Sequence, residues 1–400
     1  PIRLSIGKVN RILGTEIRGS DMKRYLEDLE LSVRKEEEED EDTLSVTPPS
    51  FRGDLEREID LVEEIARLDG YERIPVTLPK GEPSSDPRSK DASLERKAME
   101  VLLHHGYHEV VTYSFTSPAA MDLIDLCPDD PRRKCVRILN PLTEDFSVMR
   151  TTLVPDLLET ARYNLSRKNS NLKLFELKRI YLPREGERLP KEQKCLVGLA
   201  AGYDVEPNWA SPQRRIDFYD VKGLVEDLLD ALQIRGAVFR RVETIPYLHP
   251  RKAAEAVFEG EVLGVFGEAH PEVLGHYEIE GEAHLFEIDF EKVVEKATEE
   301  KRFRALPRFP AVYRDLSLII DDAMEAQSVV DAIRSLEQPF IDEIHLFDCY
   351  RGTPIPPGKK GVSYRIRYQA VDRTLTDEEV NQHHEKVITR LKEIFHAELR

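Results

Sequence analysis

Residues 50–74 read SFRGDLEREIDLVEEIARLDGYERI, and this stretch decides the fold of the first part of the chain. Asp54 can cap the start of a helix. Apolar residues then recur at helical spacing, namely Leu55, Ile59, Val62, Ile65 and Ala66. Gly70 ends the pattern, and Pro75 follows it. The stretch therefore predicts an amphipathic helix that starts near Asp54 and stops at Gly70.

A cluster of carboxylates lies on this predicted helix. Its members are Asp54, Asp60, Glu63 and Glu64. The last three are three and four residues apart, so they share one flank, and the first lies at the helix mouth. Carboxylates this close repel one another unless a cation lies among them, and a hard cation such as Mg²⁺ prefers oxygen ligands. The alternative is a solvated acidic face whose charge Arg57 and Arg67 offset.

The composition is that of a soluble globular protein with more than one domain. A chain of 400 residues predicts about two to four domains, and a hydrophobic fraction of 40% is enough for real cores. Apolar runs stay well short of the ~20 residues that span a bilayer, so no membrane partner is expected. The formal net charge of −18 argues against general affinity for nucleic acid. Any RNA contact therefore needs a local basic surface.

The cysteines indicate the cellular compartment of the chain, and the first residue indicates whether the chain is part of a longer protein. Cys127, Cys135, Cys195 and Cys349 are scattered, and there is no Cys-x-x-Cys pair. We therefore expect no disulfide framework and no zinc ribbon, and a cytoplasmic location. The sequence starts at Pro1 without a signal peptide, so we expect it to be a piece of a longer protein.

Shifts in composition divide the first three quarters of the chain. Residues 1–78 form a small module, in which the acidic run 36–42 predicts a solvated loop. The stretch GEPSSDPR, 81–88, is a linker by composition. In the larger region 89–300, strands and helices mix without strict alternation. This mixture predicts an α+β multidomain protein with an antiparallel sheet in the larger domain.

The last predicted domain, 306–400, follows a basic hinge at 301–308. Its pattern reads β-α-β-β-α-β, which is typical of ferredoxin-like domains. The two middle strands, 341–350 and 361–369, are predicted to pair. Thr376 is the predicted N-cap of the second helix.

The stretch GVSYRIRYQ, 361–369, separates its side chains with the period of two that a strand imposes. The set predicted to pack under the helices is Val362, Tyr364, Ile366 and Tyr368. The set predicted to line the open sheet face is Ser363, Arg365, Arg367 and Gln369. Such groups can contact phosphates and unpaired bases of single-stranded RNA. The alternative is that the two arginines only keep the face soluble and pair with acidic neighbours such as Asp315.

Four stretches resemble the C-terminal half of the bacterial phenylalanyl-tRNA synthetase β subunit. They are FRGDLEREIDLVEEIARLDGY (51–71), NPLTEDFSVMRTTLVPDLL (140–158), FGEAHPEVL (266–274) and GKKGVSYRIRYQ (358–369). The resemblance follows the family order and covers nearly all of the chain, so it is more specific than any one motif.

The resemblance implies a domain type for each part of the chain. It implies a small DNA-binding-like module at 1–78, a non-catalytic domain with the fold of a class II synthetase core at 89–300, and a ferredoxin-like anticodon-binding domain at 306–400. It also implies that a magnesium site shared with the α subunit is formed by Asp54, Asp60, Glu63 and Glu64.

The resemblance further implies partners and an activity. The partners are the α subunit, the phenylalanine tRNA and a second β chain in a tetramer of two α and two β chains. The complex would attach phenylalanine to its tRNA, with ATP as a substrate at the α subunit, and this chain would be non-catalytic. The family's N-terminal modules lie outside the resemblance, so no editing activity is expected.

We find no catalytic constellation in the sequence. It has no Gly-x-x-x-x-Gly-Lys-Ser/Thr loop, no His-Glu-x-x-His and no Gly-x-Ser-x-Gly. Asp217, Asp220 and Lys222 are interpreted as a turn, a cap and an ion pair. His249 and His270 each precede a proline and are interpreted as loop or interface residues. The alternative function is a non-enzymatic nucleic-acid-binding or scaffold protein built from the same modules.

Overall fold

A computed structural model describes most of the chain, namely residues 1–35, 42–78, 89–298, 300–301, 303 and 305–399. The chain divides into two compact units, Pro1–Arg88 and Ser89–Arg400. The predicted linker 81–88 and nearly all of the predicted acidic loop 36–42 lie outside the described residues.

The first unit packs helices against a three-stranded antiparallel sheet. Its elements are β1 (Ile2–Ser5), α1 (Ile6–Leu13), α2 (Gly19–Asp28), β2 (Ser32–Lys35), β3 (Thr43–Thr47) and α3 (Glu58–Asp69). The strands lie in the order β1-β3-β2. The buried core of this unit includes Leu4, Val9, Met22, Leu26, Leu44, Val46, Leu61 and Ile65.

The acidic helix, α3, is shorter than its sequence pattern predicts. It ends at Gly70 as predicted, but it begins at Glu58 rather than near Asp54. The cause is Asp60, the third helical residue, whose carboxylate accepts the backbone N–H of Arg57 at 2.7 Å and so fixes the start of the helix one turn later. Ile59, predicted to face the core, therefore lies in the first turn and is 47% exposed.

The first part of the second unit is built on a seven-stranded sheet. Its elements are α4 (Lys90–His104), β4 (His108–Glu109), β5 (Phe115–Thr116), α5 (Ala120–Leu123), β6 (Val148–Met149), α6 (Val154–Ser166), β7 (Leu172–Leu182), β8 (Lys191–Ala201), α7 (Phe218–Ala231), β9 (Val238–Arg241), β10 (Leu248–Phe258), β11 (Glu261–Ala269), α8 (Pro271–His276), β12 (Ala283–Asp289) and α9 (Phe290–Lys296). The strand order is β4-β7-β8-β12-β11-β10-β9. Every neighbouring pair is antiparallel except β4 with β7, in agreement with the predicted antiparallel sheet.

Helices cover both faces of this sheet. One core joins α5, α6 and α8 to one face and includes Leu157 and Val197. The other core joins α4, α7 and α9 to the opposite face and includes Leu224 and Phe286. The alternation of side chains along long strands such as β8 supplies apolar groups to both cores.

Residues 110–115, VVTYSF, have the β-branched and aromatic composition of a strand but form almost none. Only Phe115 lies in a strand, the two-residue β5. The Thr112 backbone N–H and hydroxyl both donate to the Glu176 carboxylate, at 3.2 and 2.6 Å, and Arg150 Nη1 donates to the Tyr113 carbonyl at 3.2 Å. These side-chain bonds replace the ladder that a strand would form.

The second part of this unit has the predicted β-α-β-β-α-β order. Its elements are β13 (Val312–Asp321), α10 (Ala326–Arg334), β14 (Ile341–Tyr350), β15 (Lys359–Tyr368), α11 (Asp377–Phe395) and β16 (Glu398–Leu399). The strands lie in the order β14-β15-β13-β16, so the predicted pair β14–β15 is confirmed. Thr376 caps α11 and forms a capping box with Glu379, as predicted.

Two observations concern the chain as a whole. All four cysteines are free thiols. Among the helices of the described residues, none combines the length and apolar character that crossing a membrane requires.

Candidate metal helix and nucleic-acid interface

A guanidinium joins two of the four predicted metal ligands. Arg52 Nε lies 3.0 Å from Asp54 Oδ1, and Arg52 Nη2 lies 2.7 Å from Asp54 Oδ2 and 2.9 Å from Glu64 Oε1. The hydrogen bonds from Arg52 lower the pKa of Asp54. The guanidinium of Arg52 therefore offsets the repulsion between Asp54 and Glu64, and these two carboxylates need no added cation.

Glu64 is also held by a second arginine. Its side chain is only 12% exposed, and Arg67 Nη2 donates to Glu64 Oε2 at 2.5 Å. Burial acts to raise the pKa of Glu64, but the hydrogen bonds from Arg67 and Arg52 outweigh burial, so the pKa is lowered. Both oxygens of Glu64 therefore accept from a guanidinium.

The other two carboxylates differ from each other. Asp60 Oδ2 accepts the backbone N–H groups of Arg57 and Glu56 at 2.7 and 3.0 Å, and these bonds lower the pKa of Asp60. Its Oδ1 lies 3.3 Å from Arg57 Nη2. Glu63 is exposed. Of the four, only Glu63 has no side-chain hydrogen bond or ion pair within the described part of the chain.

The donor chemistry suits a hard cation, but the arrangement does not fit one. In the described part of the chain, no three of these carboxylates bring their oxygens within 4.8 Å of one another. Three of the four already accept backbone or guanidinium donors. The alternative interpretation, an acidic face balanced by Arg57 and Arg67, describes the contacts better, with Arg52 added. The assignment of magnesium to these four carboxylates stays a prediction.

The open face of the ferredoxin-like sheet carries the two predicted arginines. Arg365 and Arg367 have side chains that are 52% and 35% exposed. The alternation is confirmed on the opposite face, where Val362, Tyr364, Ile366 and Tyr368 are fully buried. Both arginines are paired with acids. Arg367 Nε donates to Asp342 Oδ2 at 2.7 Å, and its Nη1 lies 2.9 Å from Glu343 Oε2.

Ser363 and Gln369 are not free groups on this face. Ser363 is 8% exposed, and its hydroxyl lies 2.9 Å from that of Ser317. A Cβ built on Gly361, on the same face, would lie 3.3 Å from Ile355 Cδ1, so the β14–β15 loop folds over this end of the sheet. Gln369 Nε2 donates to the Phe309 carbonyl at 2.7 Å. Neither side chain is a free group in this structure, and the prediction that Ser363 and Gln369 contact RNA stays a prediction.

Two aromatic side chains on the open face were not among the residues predicted from the sequence to contact RNA. Tyr313 is 54% exposed and stands opposite Arg367 in the β13–β15 register. Phe347 is 47% exposed, and the Arg365 guanidinium lies 5.2 Å from its ring centre. The signal for Tyr313 was present, because continuing the period of two beyond Leu316 places it on this face. Phe347 lies where the β14–β15 register shifts, which a strict alternation cannot anticipate.

A second cluster of charges is buried between the sheet and α6. Arg150 is 2% exposed, and its Nη1 lies 2.8 Å from Thr112 Oγ1, 3.3 Å from Glu176 Oε1 and 3.5 Å from Asp156 Oδ2. Burial raises the pKa of Asp156 to about 7, with Glu176 adding to the rise and Arg150 opposing it. One buried cation thus faces two carboxylates, and a proton on Asp156 balances the charge.

An exposed apolar patch lies beside this cluster. Its members are Val111, Tyr113, Phe115, Leu139, Leu142 and Phe146, and they are 38% to 101% exposed. The ring centres of Tyr113 and Phe146 are 5.5 Å apart, so the stretches 110–116 and 138–147 that supply these side chains meet at this point. The stretches 110–116 and 138–147 contain no Lys or Arg. A surface of this kind is typical of a protein interface.

The other polar residues singled out in the sequence have structural roles. Asp217 caps α7, Asp220 completes the capping box, and Lys222 pairs with Glu226, as predicted. His270 caps α8 through Nδ1, which accepts the Glu272 backbone N–H at 3.3 Å. His249 lies in β10 rather than in a loop.

Comparison with protein families accounts for this architecture. Residues 2–71 match the tRNA synthetase B5 domain, 74–290 the phenylalanyl tRNA synthetase beta chain CLM domain, and 307–400 the ferredoxin-fold anticodon binding domain. The chain is therefore a tRNA synthetase chain that combines a B5, a CLM and an anticodon-binding domain. Because the CLM match spans more than half of its residues, the chain belongs to the phenylalanyl-tRNA synthetase β-chain family.

Curated relatives agree with this assignment. The proteins named phenylalanine–tRNA ligase beta subunit from Syntrophotalea carbinolica and Moorella thermoacetica are 40% and 41% identical over 399 residues, which is 100% of this chain and 50% and 49% of theirs. The one from Geobacter metallireducens is 39% identical over 98% of this chain and 48% of its own length. The chain thus spans about half the length of the relatives it matches. The resemblance noted in the sequence is confirmed, and the scaffold alternative gains no support.

Proposed function

We propose that this chain is the β-subunit part of a phenylalanine–tRNA ligase that attaches phenylalanine to its tRNA with ATP and Mg²⁺. Catalysis and ATP binding take place on an α subunit, and this chain contributes assembly and tRNA contacts in a cytoplasmic complex of two α and two β chains. The observation that carries the proposal is that three family models, in sequence, account for nearly all of the chain.

A non-catalytic role is supported by the way the CLM domain is filled. Helices cover both faces of its seven-stranded sheet. The Arg150 cluster is buried and its members bind one another, so this cluster offers no exposed polar group to a substrate. The sequence also has none of the phosphate-binding or nucleophile motifs sought above. We therefore assign no catalytic residue to this chain.

The apolar patch is the proposed docking surface for the α subunit. Aromatic and aliphatic side chains on two stretches that contain no Lys or Arg fit a protein partner better than RNA, which needs Lys or Arg at its phosphates. Glu144 and Asp145 lie beside the patch in the sequence and give it an acidic edge. The matching surface of the α subunit is expected to be apolar with a basic edge.

The acidic helix is the proposed second contact with the α subunit. The prediction is that Asp54, Asp60, Glu63 and Glu64 hold Mg²⁺ together with α-subunit groups. Glu63 supports this, because it is exposed and unpaired among the described residues. The present arrangement of the other three argues that ligands from the partner are needed to complete such a site.

The open face of the ferredoxin-like domain is the proposed tRNA contact. Arg365 and Arg367 supply positive charge, and Tyr313 and Phe347 supply flat surfaces on which unpaired bases can stack. Contacts of both kinds suit single-stranded RNA, such as an anticodon loop. Because each arginine is paired with an acid, the RNA phosphates must exchange with those carboxylates, and binding is expected to be salt-sensitive.

A pull-down of the 400-residue chain with the α subunit of the same organism, with and without EDTA, tests the proposal. We expect a stable complex that charges tRNA with phenylalanine once all β-subunit modules are present. A complex that weakens on chelation supports a metal-bridged contact. A complex indifferent to EDTA leaves only the apolar patch as the α contact, and absence of any complex contradicts the proposal.

A further inference from the structure

A cavity of about 570 Å³ lies in the CLM domain beside the start of α7. Strands β9 to β12 supply most of its lining, and Glu325 of the ferredoxin-like domain lies at its rim. Its volume is within the range of small-molecule sites, which is about 300–1,000 Å³. The cavity is on the face of the sheet that α7 covers, whereas the Arg150 cluster lies on the α6 side. It is therefore separate from that cluster and from the apolar patch.

Aromatic rings form one wall of this cavity. Phe218, at the start of α7, and Phe239, on β9, both line it. Their ring centres lie 5.5 and 5.7 Å from that of Phe266, which is 1% exposed. The three rings thus form a continuous wall, and such a wall favours contact with an apolar or aromatic group.

Two buried polar side chains lie next to each other in the lining. Glu268 on β11 stands directly opposite His284 on β12, and the two residues are 7% and 2% exposed. Glu268 Oε2 is paired with Lys252, whereas its Oε1 has no hydrogen-bond partner in the described part of the chain. His284 Nδ1 is buried and has no partner there either. Buried polar groups are nearly always hydrogen-bonded, so two that are not, beside one cavity, point to a polar ligand.

A cation without an ion pair lies at the same end of the cavity. Arg251 is exposed and lines the cavity, and its side chain has no acidic partner among the described residues. It directly precedes Lys252, which contacts Glu268, so the guanidinium and the unused carboxylate oxygen serve the same end. The other arginines of the rim pair with carboxylates that are not part of the lining. The cavity therefore combines a free cation, a free acceptor and an aromatic wall.

We propose that this cavity binds a free α-amino acid with an aromatic side chain. The ammonium group donates to Glu268 Oε1, and the carboxylate pairs with the guanidinium of Arg251. The ring of the amino acid packs against Phe218 and Phe239. An ammonium and a carboxylate on one carbon need an acceptor and a cation close together, which this end of the cavity provides. A nucleotide fits less well, because Glu268 and Glu282 in the lining would repel its phosphates.

The inference goes beyond the proposed function and does not depend on it, because it concerns residues of this chain alone. Ligand-observed NMR titration of the 400-residue chain, without an α subunit, tests it. The probes are L-phenylalanine, 2-phenylethylamine, which lacks the carboxylate, and 3-phenylpropionate, which lacks the ammonium group. We expect L-phenylalanine to bind, and each of the other two to bind at least about tenfold more weakly.

Two variants locate the site by the group that each one removes. Arg251→Ala should weaken L-phenylalanine binding about tenfold and leave the affinity for 2-phenylethylamine unchanged. Glu268→Gln should weaken the binding of both of these probes, but not that of 3-phenylpropionate. A general loss of folding cannot produce this crossed pattern, because it would weaken all three probes alike.

Arg235→Ala is the matched control for Arg251→Ala. Arg235 lies in the same domain, is 72% exposed and is not part of the cavity lining, so its loss should leave the affinity for L-phenylalanine at the wild-type value. Thermal melting checks the folding of each variant. If Glu268→Gln does not fold, Arg251→Ala decides the question, because Arg251 is exposed and unpaired.

Three outcomes would overturn the proposal. The first is that L-phenylalanine does not bind at millimolar concentrations. The second is that all three probes bind equally, because the cavity would then recognise only the ring. The third is that Arg251→Ala leaves the affinity for L-phenylalanine unchanged, or that Arg235→Ala lowers it by as much. None of these outcomes affects assembly with the α subunit, so they leave the proposed function standing.

Discussion

Arg365 forms a two-pronged ion pair with Asp315, in which Nε donates to Oδ1 and Nη2 donates to Oδ2, both at 2.7 Å. The two residues stand directly opposite each other in the β13–β15 register. The hydrogen bonds from Arg365 lower the pKa of Asp315, so the pair stays charged at neutral pH. Asp315 therefore fixes the position of the Arg365 guanidinium on the open face, 5.2 Å from the ring centre of Phe347.

The first prediction concerns tRNA binding by this face. Arg365→Ala combined with Arg367→Ala removes both cations, and we expect tRNA affinity of the assembled enzyme to fall by about tenfold. Aminoacylation kinetics at limiting tRNA measure the effect. Arg334→Ala with Arg390→Ala is the matched control, because both arginines lie on helices that cover the opposite face. Equal kinetics for the two double variants would falsify the assignment.

For Asp315→Asn we expect tRNA affinity to rise rather than fall. The substitution removes the carboxylate that RNA phosphates must displace, and it keeps the shape of the side chain. We therefore expect tighter tRNA binding, with a dependence on salt at least as steep as in wild type because Arg365 is then free to pair with a phosphate. Titration of tRNA at several salt concentrations measures both. Weaker binding would mean that the pair acts as a unit that positions Arg365.

The acidic helix gives a prediction about assembly. Glu63→Ala with Glu64→Ala should weaken the complex with the α subunit and remove its sensitivity to EDTA. Loss of Glu64 also removes the carboxylate that Arg67 contacts and one of the two partners of Arg52, which keeps Asp54, and we expect the stability of the fold to fall only slightly because both lost pairs are partly solvated. A binding titration with purified α subunit, beside thermal melting, separates assembly from folding.

The control for this prediction lies on α2 of the same unit. Asp21→Ala with Glu27→Ala removes two carboxylates that pair only with neighbours on their own helix. We expect α-subunit affinity to stay at the wild-type value in this variant. If the α2 variant weakens assembly as much as the α3 variant does, the effect is one of general charge, and the metal-bridged contact is wrong.

The apolar patch gives a prediction that does not depend on metal. Leu139 and Leu142 are 101% and 97% exposed, so Leu139→Asp with Leu142→Asp should leave folding intact. We expect the double variant to lose at least about tenfold in affinity for the α subunit, with EDTA present or absent. Val371→Asp, at a residue that is 90% exposed in the ferredoxin-like domain, is the control. Unchanged α-subunit binding by the double variant would remove the patch from the interface.

The sequence predicted the fold well where local chemistry decides it. Gly70 ends α3, Thr376 caps α11, and the alternation in β15 separates a buried set from Arg365 and Arg367. Each of these follows from backbone geometry or from a period that neighbouring residues share. Tertiary contacts left these local structures unchanged, because the packing of the core favours the same conformations as the local sequence does.

The sequence failed where a distant residue changes the local outcome. Thr112 bonds to Glu176, which is 64 residues away, so a stretch with strand-like composition does not form a ladder. Ser363 is buried because a loop returns over its end of the sheet. Two of the four carboxylates, Asp54 and Glu64, are paired with Arg52, which lies before the helix and contacts Glu64 twelve residues later in the chain. The spacing of residues in the sequence cannot show which hydrogen-bond donor pairs with a given carboxylate in the folded chain.

The buried pair of Arg150 and Asp156 leads to a prediction about pH. Asp156 titrates near pH 7 in the folded chain, against about 3.9 when unfolded. Between these two values the folded state holds more protons than the unfolded state. Stability must then fall as the pH rises through this window, since the slope follows the difference in bound protons.

Asp156→Asn tests this sign, because the amide keeps the shape and cannot ionise. We expect the apparent melting temperature of wild type to fall from about pH 4 to about pH 8 relative to that of the variant, with the change in the free-energy difference approaching about 4 kcal/mol at most. Differential scanning calorimetry across that range measures the gap. In the variant Arg150 faces one carboxylate, that of Glu176, so the buried charges balance. We therefore expect the variant to be more stable than wild type at high pH. A gap that does not change with pH would show that Asp156 is ionised throughout.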